Sequence, residues 1–167
     1  KAGAIGLAIV MVFMIIMYAV PGIAASLALA IYTTLVIATL YLFEITLTLP
    51  GIAGIILGIG MAVDANVIVF ARVREEIATG KSVQTSMKIG FQKAMSAILD
   101  GNITTLIASV VLMALGSGTV KGFAYTLMIG IILSLFTAMV VTRYILYSLY
   151  ALGLKSEKLY GRAKERK

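Results

Sequence analysis

Apolar residues run along this chain in five blocks, at 3–20, 23–43, 51–71, 98–115 and 122–149, separated by polar residues or by glycine and proline. Each block is close to the roughly 20 residues that an α-helix needs to cross a bilayer, so the pattern predicts an all-α, polytopic membrane bundle of five transmembrane helices. Pro21 and Gly22 leave room only for a turn, which makes the first two helices an antiparallel hairpin. Residues 44–50 connect the second helix to the third, and a loop over 72–97 connects the third to the fourth. Within that loop, 82–97 opens on a capping serine and reads as an amphipathic helix. Val83, Met87, Phe91, Ala94 and Met95 share one face, and Lys88, Gln92, Lys93 and Ser96 turn toward water. This helix is expected to lie along the inner membrane surface, its apolar face covered by lipid or by a partner.

Composition agrees with the blocks: 61% of residues are hydrophobic and 13% charged, far from the balance of a soluble domain. There is neither cysteine nor histidine, which removes disulfides, thiolate metal sites and the commonest zinc ligands, and no cofactor is expected. No pair of titratable groups with a nucleophile stands out, so the chain does not read as an enzyme. The net charge of +7 is concentrated in two places. Residues 72–93 carry five cations against Glu75 and Glu76, and residues 155–167 carry six against Glu157 and Glu165. Threading five helices alternately puts both stretches on one side, and the positive-inside rule makes that side the cytoplasm. The expected division is a transmembrane bundle over 1–154 and a basic cytoplasmic tail over 155–167. Contact with acidic lipid is a second role for these charges. Nucleic-acid binding would need a basic soluble domain, which the pattern lacks. Residues 1–6 enter the first apolar block without a charged leader or an initiator Met, so the chain is expected to be part of a longer protein.

Helices in lipid associate through small residues that allow close approach of backbones. Gly54, Gly58 and Ala62 form such a stripe on the third helix. Gly122, Thr126, Gly130, Ser134, Ala138 and Thr142 form one on the fifth, winding slowly around it because 3.6 residues make a turn. We expect these residues to pack helices rather than to line a substrate groove.

The third block contains one charge, Asp64, in an otherwise uncharged run. A bare carboxylate in lipid is costly and by default functional, and with no cation in its own helix it points to proton handling. Counting inward from the ends of the blocks puts Asp64 on the third helix and Thr105 on the antiparallel fourth at a similar depth, roughly 10 Å in. Asn66, Asn102 and Thr104 occupy nearby levels, although Asn66 is two residues from Asp64 and points elsewhere on its helix. The pairing expected from this arithmetic is Asp64 with Thr104 or Thr105.

These residues resemble a known family. The stretch 49–76 (LPGIAGIILGIGMAVDANVIVFARVREE) is followed by Gly90-Phe91, by Asp100-Gly101-Asn102-Ile103-Thr104-Thr105, and by Gly118 and Gly122-Phe123-Ala124. Phe136-Thr137-Ala138 and Thr142-Arg143 close the series. Together they look like the C-terminal transmembrane region of the SecD/SecF protein-export membrane family, on its SecD side, within the resistance-nodulation-division (RND) superfamily. One departure is Ala71, where the family usually carries an acidic residue before the arginine.

The resemblance implies a multi-pass protein of the bacterial or archaeal cytoplasmic membrane, preceded by a further helix and a large extracytoplasmic domain. It also implies pairing with SecF, separate or fused, in a pseudo-symmetric bundle. Such a bundle conducts protons, or sodium in their place, and thereby drives late translocation of an unfolded preprotein leaving SecYEG after SecA has pushed it in. Carried over by motif, Asp64 would be the proton relay, with its cationic partner supplied by SecF, and Asn102, Thr104 and Thr105 would support the pathway. Another RND-type proton-coupled exporter and a purely structural membrane anchor are the alternatives. The first would differ in its extracytoplasmic domains, and the second would tolerate leucine at Asp64.

Overall fold

A computed structural model describes residues 2–160, and within them every regular element is helical. The helices are α1 (Ala2–Tyr18), α2 (Val20–Leu42), α3 (Leu49–Ala78), α4 (Val83–Leu115) and α5 (Thr119–Ala151), followed by a short 3₁₀ turn at Glu157–Tyr160. Four of them, α2 to α5, are long and apolar enough to cross a membrane; α1 is an apolar helix of 17 residues. Residues 161–167 of the expected basic tail lie outside the described residues.

The hairpin of α1 and α2 forms, but not around Pro21 and Gly22. The chain breaks at Ala19, which takes a positive φ of 50°, and Pro21 sits inside the first turn of α2, where its missing N–H leaves no helix bond unmade. Gly22 is instead a contact point: a Cβ there would lie 2.0 Å from the carbonyl oxygen of Met14, so only glycine lets α2 approach α1 this closely.

The loop expected over 72–97 is almost entirely helix. α3 continues to Ala78, a turn with Gly80 at φ 86° reverses the chain, and Ser82 caps α4 by accepting a hydrogen bond from the Thr85 N–H at 3.4 Å. α4 then runs unbroken for 33 residues. The amphipathic segment is therefore the first half of a long helix and does not lie flat on the membrane. Its apolar face is covered by the protein itself. Val83, Met87, Phe91 and Ala94 join a buried cluster with Val73 and Ile77 of α3 and Leu146 of α5, whereas Met95 stays exposed. Contact is closest at Gly90, where a Cβ would fall 2.8 Å from both the Cα and the N of Val73. Gly101, in the middle of α4, does not break it, because glycine in a helix costs only about 1 kcal/mol.

α3 is the centre of the bundle, packed against α5 on one side and α4 on the other. Toward its Leu49 end it meets α5 through small residues. A Cβ on Gly54 would lie 2.3 Å from the Thr126 hydroxyl oxygen, and one on Gly58 would lie 3.5 Å from the Cα of Gly130. Gly122 packs on Thr48, the N-cap of α3, and Ser134 is buried with its hydroxyl donating to the Ile131 carbonyl at 2.8 Å. Tyr32 of α2 is fully buried and brings its phenol against Gly58 and Gly130. α5 is not uniform: Thr137–Val141 forms a π-helical turn before the α-helix resumes at Thr142.

Candidate functional site

Asp64 sits midway along α3 with its side chain exposed and no hydrogen-bond or ion-pair partner among the described residues. It lines a cleft of about 220 Å³ between α3 and α4, whose opposite wall includes Gly101, Asn102 and Thr105. Asp64, Asn102 and Thr105 are thus brought together on one surface, while the other polar residues picked from the sequence go elsewhere.

The expected hydrogen bond from Thr104 or Thr105 to Asp64 does not form. Thr105 donates its hydroxyl to the Gly101 carbonyl and Thr104 to the Asp100 carbonyl, both at 3.2 Å. Bonding back to the carbonyl four residues earlier is the standard local satisfaction of a helical threonine. Thr104, one residue and so about 100° round the helix from Thr105, is exposed and outside the cleft. The Asn102 amide likewise donates to the Ile98 carbonyl at 2.7 Å. With the Thr105 hydroxyl and one Asn102 N–H engaged within α4, the cleft sets Asp64 beside two polar side chains and no cation.

Asn66 serves a different interface. It is 3% exposed, its amide donates to the Ala62 carbonyl at 3.1 Å, and its side-chain oxygen accepts the Thr142 hydroxyl at 2.7 Å. This bond ties α3 to α5 one residue beyond the π-helical turn. Counting depth on α3 and α4 alone misses it, because Thr142 reads simply as the last member of a small-residue stripe.

Also missed is Glu76, which net-charge bookkeeping absorbs. Its side chain is 5% exposed and bridges Lys81 in the turn and Lys93 of α4, the latter at 2.5 Å. Hydrogen bonds from Lys81 first, then Lys93, hold its carboxyl below the ordinary value of 4.5. A carboxyl held low stabilises the fold fully above the ordinary value and loses that contribution as the pH falls through its lowered one. Wild-type protein should therefore melt above Glu76→Gln at about pH 7, with the margin closing as the pH drops below 4.5. A margin undiminished at the acid end would show that Glu76 acts by shape, not charge. Nearby, Arg72 pairs with Glu75 at 2.8 Å, one turn along its own helix, so the arginine beside Ala71 does have an acidic neighbour.

The described part of the second basic stretch, residues 155–160, lies at the same end of the bundle as the first. Arg74 donates to the Met17 carbonyl at 3.4 Å and stacks 5.1 Å from the Tyr18 ring, at the α1–α2 turn. Tyr160, in the final 3₁₀ turn, is buried in the same cluster as Val20 and Ile77.

The profile of the family described as "Protein export membrane protein SecD/SecF, C-terminal" matches residues 1–151. The chain belongs to the SecD/SecF family. Its similarity to family members is high: 54% identity over 145 residues with the protein translocase subunit SecD of Synechocystis sp., and 52% over 149 residues with that of Acidaminococcus fermentans. These alignments cover 87% and 89% of the chain but 31% and 36% of the relatives, so it spans about a third of the length of the curated SecD proteins it matches. Among solved structures it resembles SecDF, a translocon-associated membrane protein, from Thermus, with a TM-score of 0.88 and 35% identity over 98% of this chain and 22% of that one. The helical bundle described above is accordingly a SecD/SecF-type membrane region, and α2 to α5 are consistent with a multi-pass protein.

Proposed function

We propose that this chain is the membrane part of a SecD-type subunit of the Sec protein-export machinery, which uses the proton-motive force to assist late translocation of unfolded preproteins. The observation that carries the reading is Asp64: a carboxylate in the middle of an apolar helix, open to the outside of the bundle and without a partner among the described residues. In this reading the surface around the cleft faces SecF, separate or fused, which supplies the cation that the Asp64 cleft lacks. Protonation then switches Asp64 between a cation-paired, hydrated setting and a dry helix interface. Asn102 and Thr105 act as supporting polar residues beside it; Asn66 and Thr104 are assigned to helix packing and to the outer surface of α4. The basic end of the bundle is assigned to the cytoplasm by the positive-inside rule, with SecA and SecYEG as the machinery served.

The coupling ion is the proton. An imposed proton gradient should accelerate late preprotein release from vesicles holding the full-length protein with SecF and SecYEG, and a sodium gradient of equal size should not. Stimulation by sodium alone would reassign the ion. Indifference to both gradients would overturn the reading.

A further inference from the structure

A second cleft, of about 210 Å³, opens between α4 and α5 over a floor that includes Val69 of α3. Its walls are ordered along the helix axes. On α4, Lys88, Gln92 and Met95 follow one another along one face, at the spacing that stacks side chains on successive turns, and on α5 Met139 and Arg143 do the same. In both helices the cation lies nearer the basic end of the bundle and the methionine nearer the middle. The level is that of the membrane boundary on α3, since Val69 is three residues, or about 4.5 Å, inside Arg72.

The two cations are free to act. Neither Lys88 nor Arg143 has a carboxylate within ion-pair distance among the described residues. The Arg143 guanidinium is held 5.9 Å from the Phe91 ring and 5.8 Å from the Tyr147 ring. A guanidinium placed near aromatic rings can still present its N–H donors to an anion, and a phosphate matches its planar fork. Methionine walls accommodate flexible hydrocarbon well.

We propose that this cleft binds an anionic phospholipid, with its phosphodiester between Lys88 and Arg143 and its acyl chains against Met95 and Met139. The cleft matches that molecule in its order, charge at the rim and hydrocarbon inward, along the direction in which a lipid itself stands. A protein segment would not need this gradient. The site is independent of proton relay through Asp64.

The test uses the full-length protein with its partner subunit, stripped of lipid in neutral detergent and titrated with phosphatidylglycerol or phosphatidylcholine, bound lipid being counted by native mass spectrometry. Wild type should retain phosphatidylglycerol in preference to phosphatidylcholine. Lys88→Ala combined with Arg143→Ala should weaken phosphatidylglycerol binding by about 30-fold, the strength expected of two interfacial cations. Gln92→Glu, an exposed change that folding tolerates, should weaken it as well by placing a carboxylate beside the phosphate. Asp64→Asn should bind the lipid like wild type, which separates this site from the relay. Equal retention of the two lipids by wild type, unchanged phosphatidylglycerol binding in both cleft variants, or displacement of the lipid by millimolar inorganic phosphate would overturn the proposal.

Discussion

Proton flux through vesicles containing the full-length protein and SecF should fall by at least about two powers of ten when Asp64 is replaced by asparagine, with assembly and thermal midpoint unchanged. One proton crossing about 150 mV releases roughly 3.5 kcal/mol, a bias of about two to three powers of ten on the equilibrium between two helix packings, and a side chain that cannot bind the proton forfeits that bias and interrupts the relay. Packing should survive because Asp64 makes no hydrogen bond within the described bundle, and asparagine matches the shape of the neutral acid. Preprotein secretion should lose its response to the proton gradient in parallel. Asp64→Leu separates this reading from that of a structural anchor, which predicts that leucine is tolerated in lipid and secretion persists. Normal flux in the asparagine variant would return the carboxylate to a structural role.

Replacing Gly90 by alanine should lower the thermal midpoint of the purified protein by roughly 5–10 °C, corresponding to about 2–3 kcal/mol. The added methyl would sit 2.5 Å from a methyl of Val73 and 2.8 Å from its Cα and N. The methyl can rotate away but the backbone atoms cannot, so α3 and α4 must separate. Because the same two helices form the walls around Asp64, proton flux should fall with stability. Gly60→Ala is the control. It adds the same group to α3 where nothing lies within 4 Å, and should be neutral or stabilising by up to about 1 kcal/mol. Equal effects at the two positions would mean that general helix propensity, not the α3–α4 contact, determines the response.

The apolar blocks were legible because lipid imposes one requirement on every spanning segment, and length with hydropathy captures it. The family was legible through motifs spread over most of the chain, and its profile indeed covers residues 1–151. The segment 82–97 shows where sequence reasoning ran out. Amphipathicity identifies the face that avoids water but not what covers it, and here α3 and α5 extend far enough to do so. Depth counting had a similar limit. It placed Asp64 and Thr105 at one level, where they do line one cleft, but it carries no information about azimuth, so Thr104 was indistinguishable from Thr105 and the expected hydrogen bond was not formed. Asn66 with Thr142, and Glu76 with Lys93, join residues 76 and 17 positions apart, and such pairs emerge only once helices are docked.

The burial along α4 is uneven: beyond Ile98, Ser109 is its one buried residue, so the helix is seated firmly at the Gly90 end and only partly covered over the rest of its length. It is therefore built as a lever whose fulcrum is the Gly90–Val73 contact. Leu115 lies 25 residues from that point, about 38 Å along the helix, so a tilt of about 5° at the fulcrum swings the far tip by roughly 3 Å. The short turn Gly116–Gly118 hands that displacement to the start of α5. If Asp64 switches its charge as proposed, the change acts against the arm rather than the pivot and would be magnified at the far end of α4.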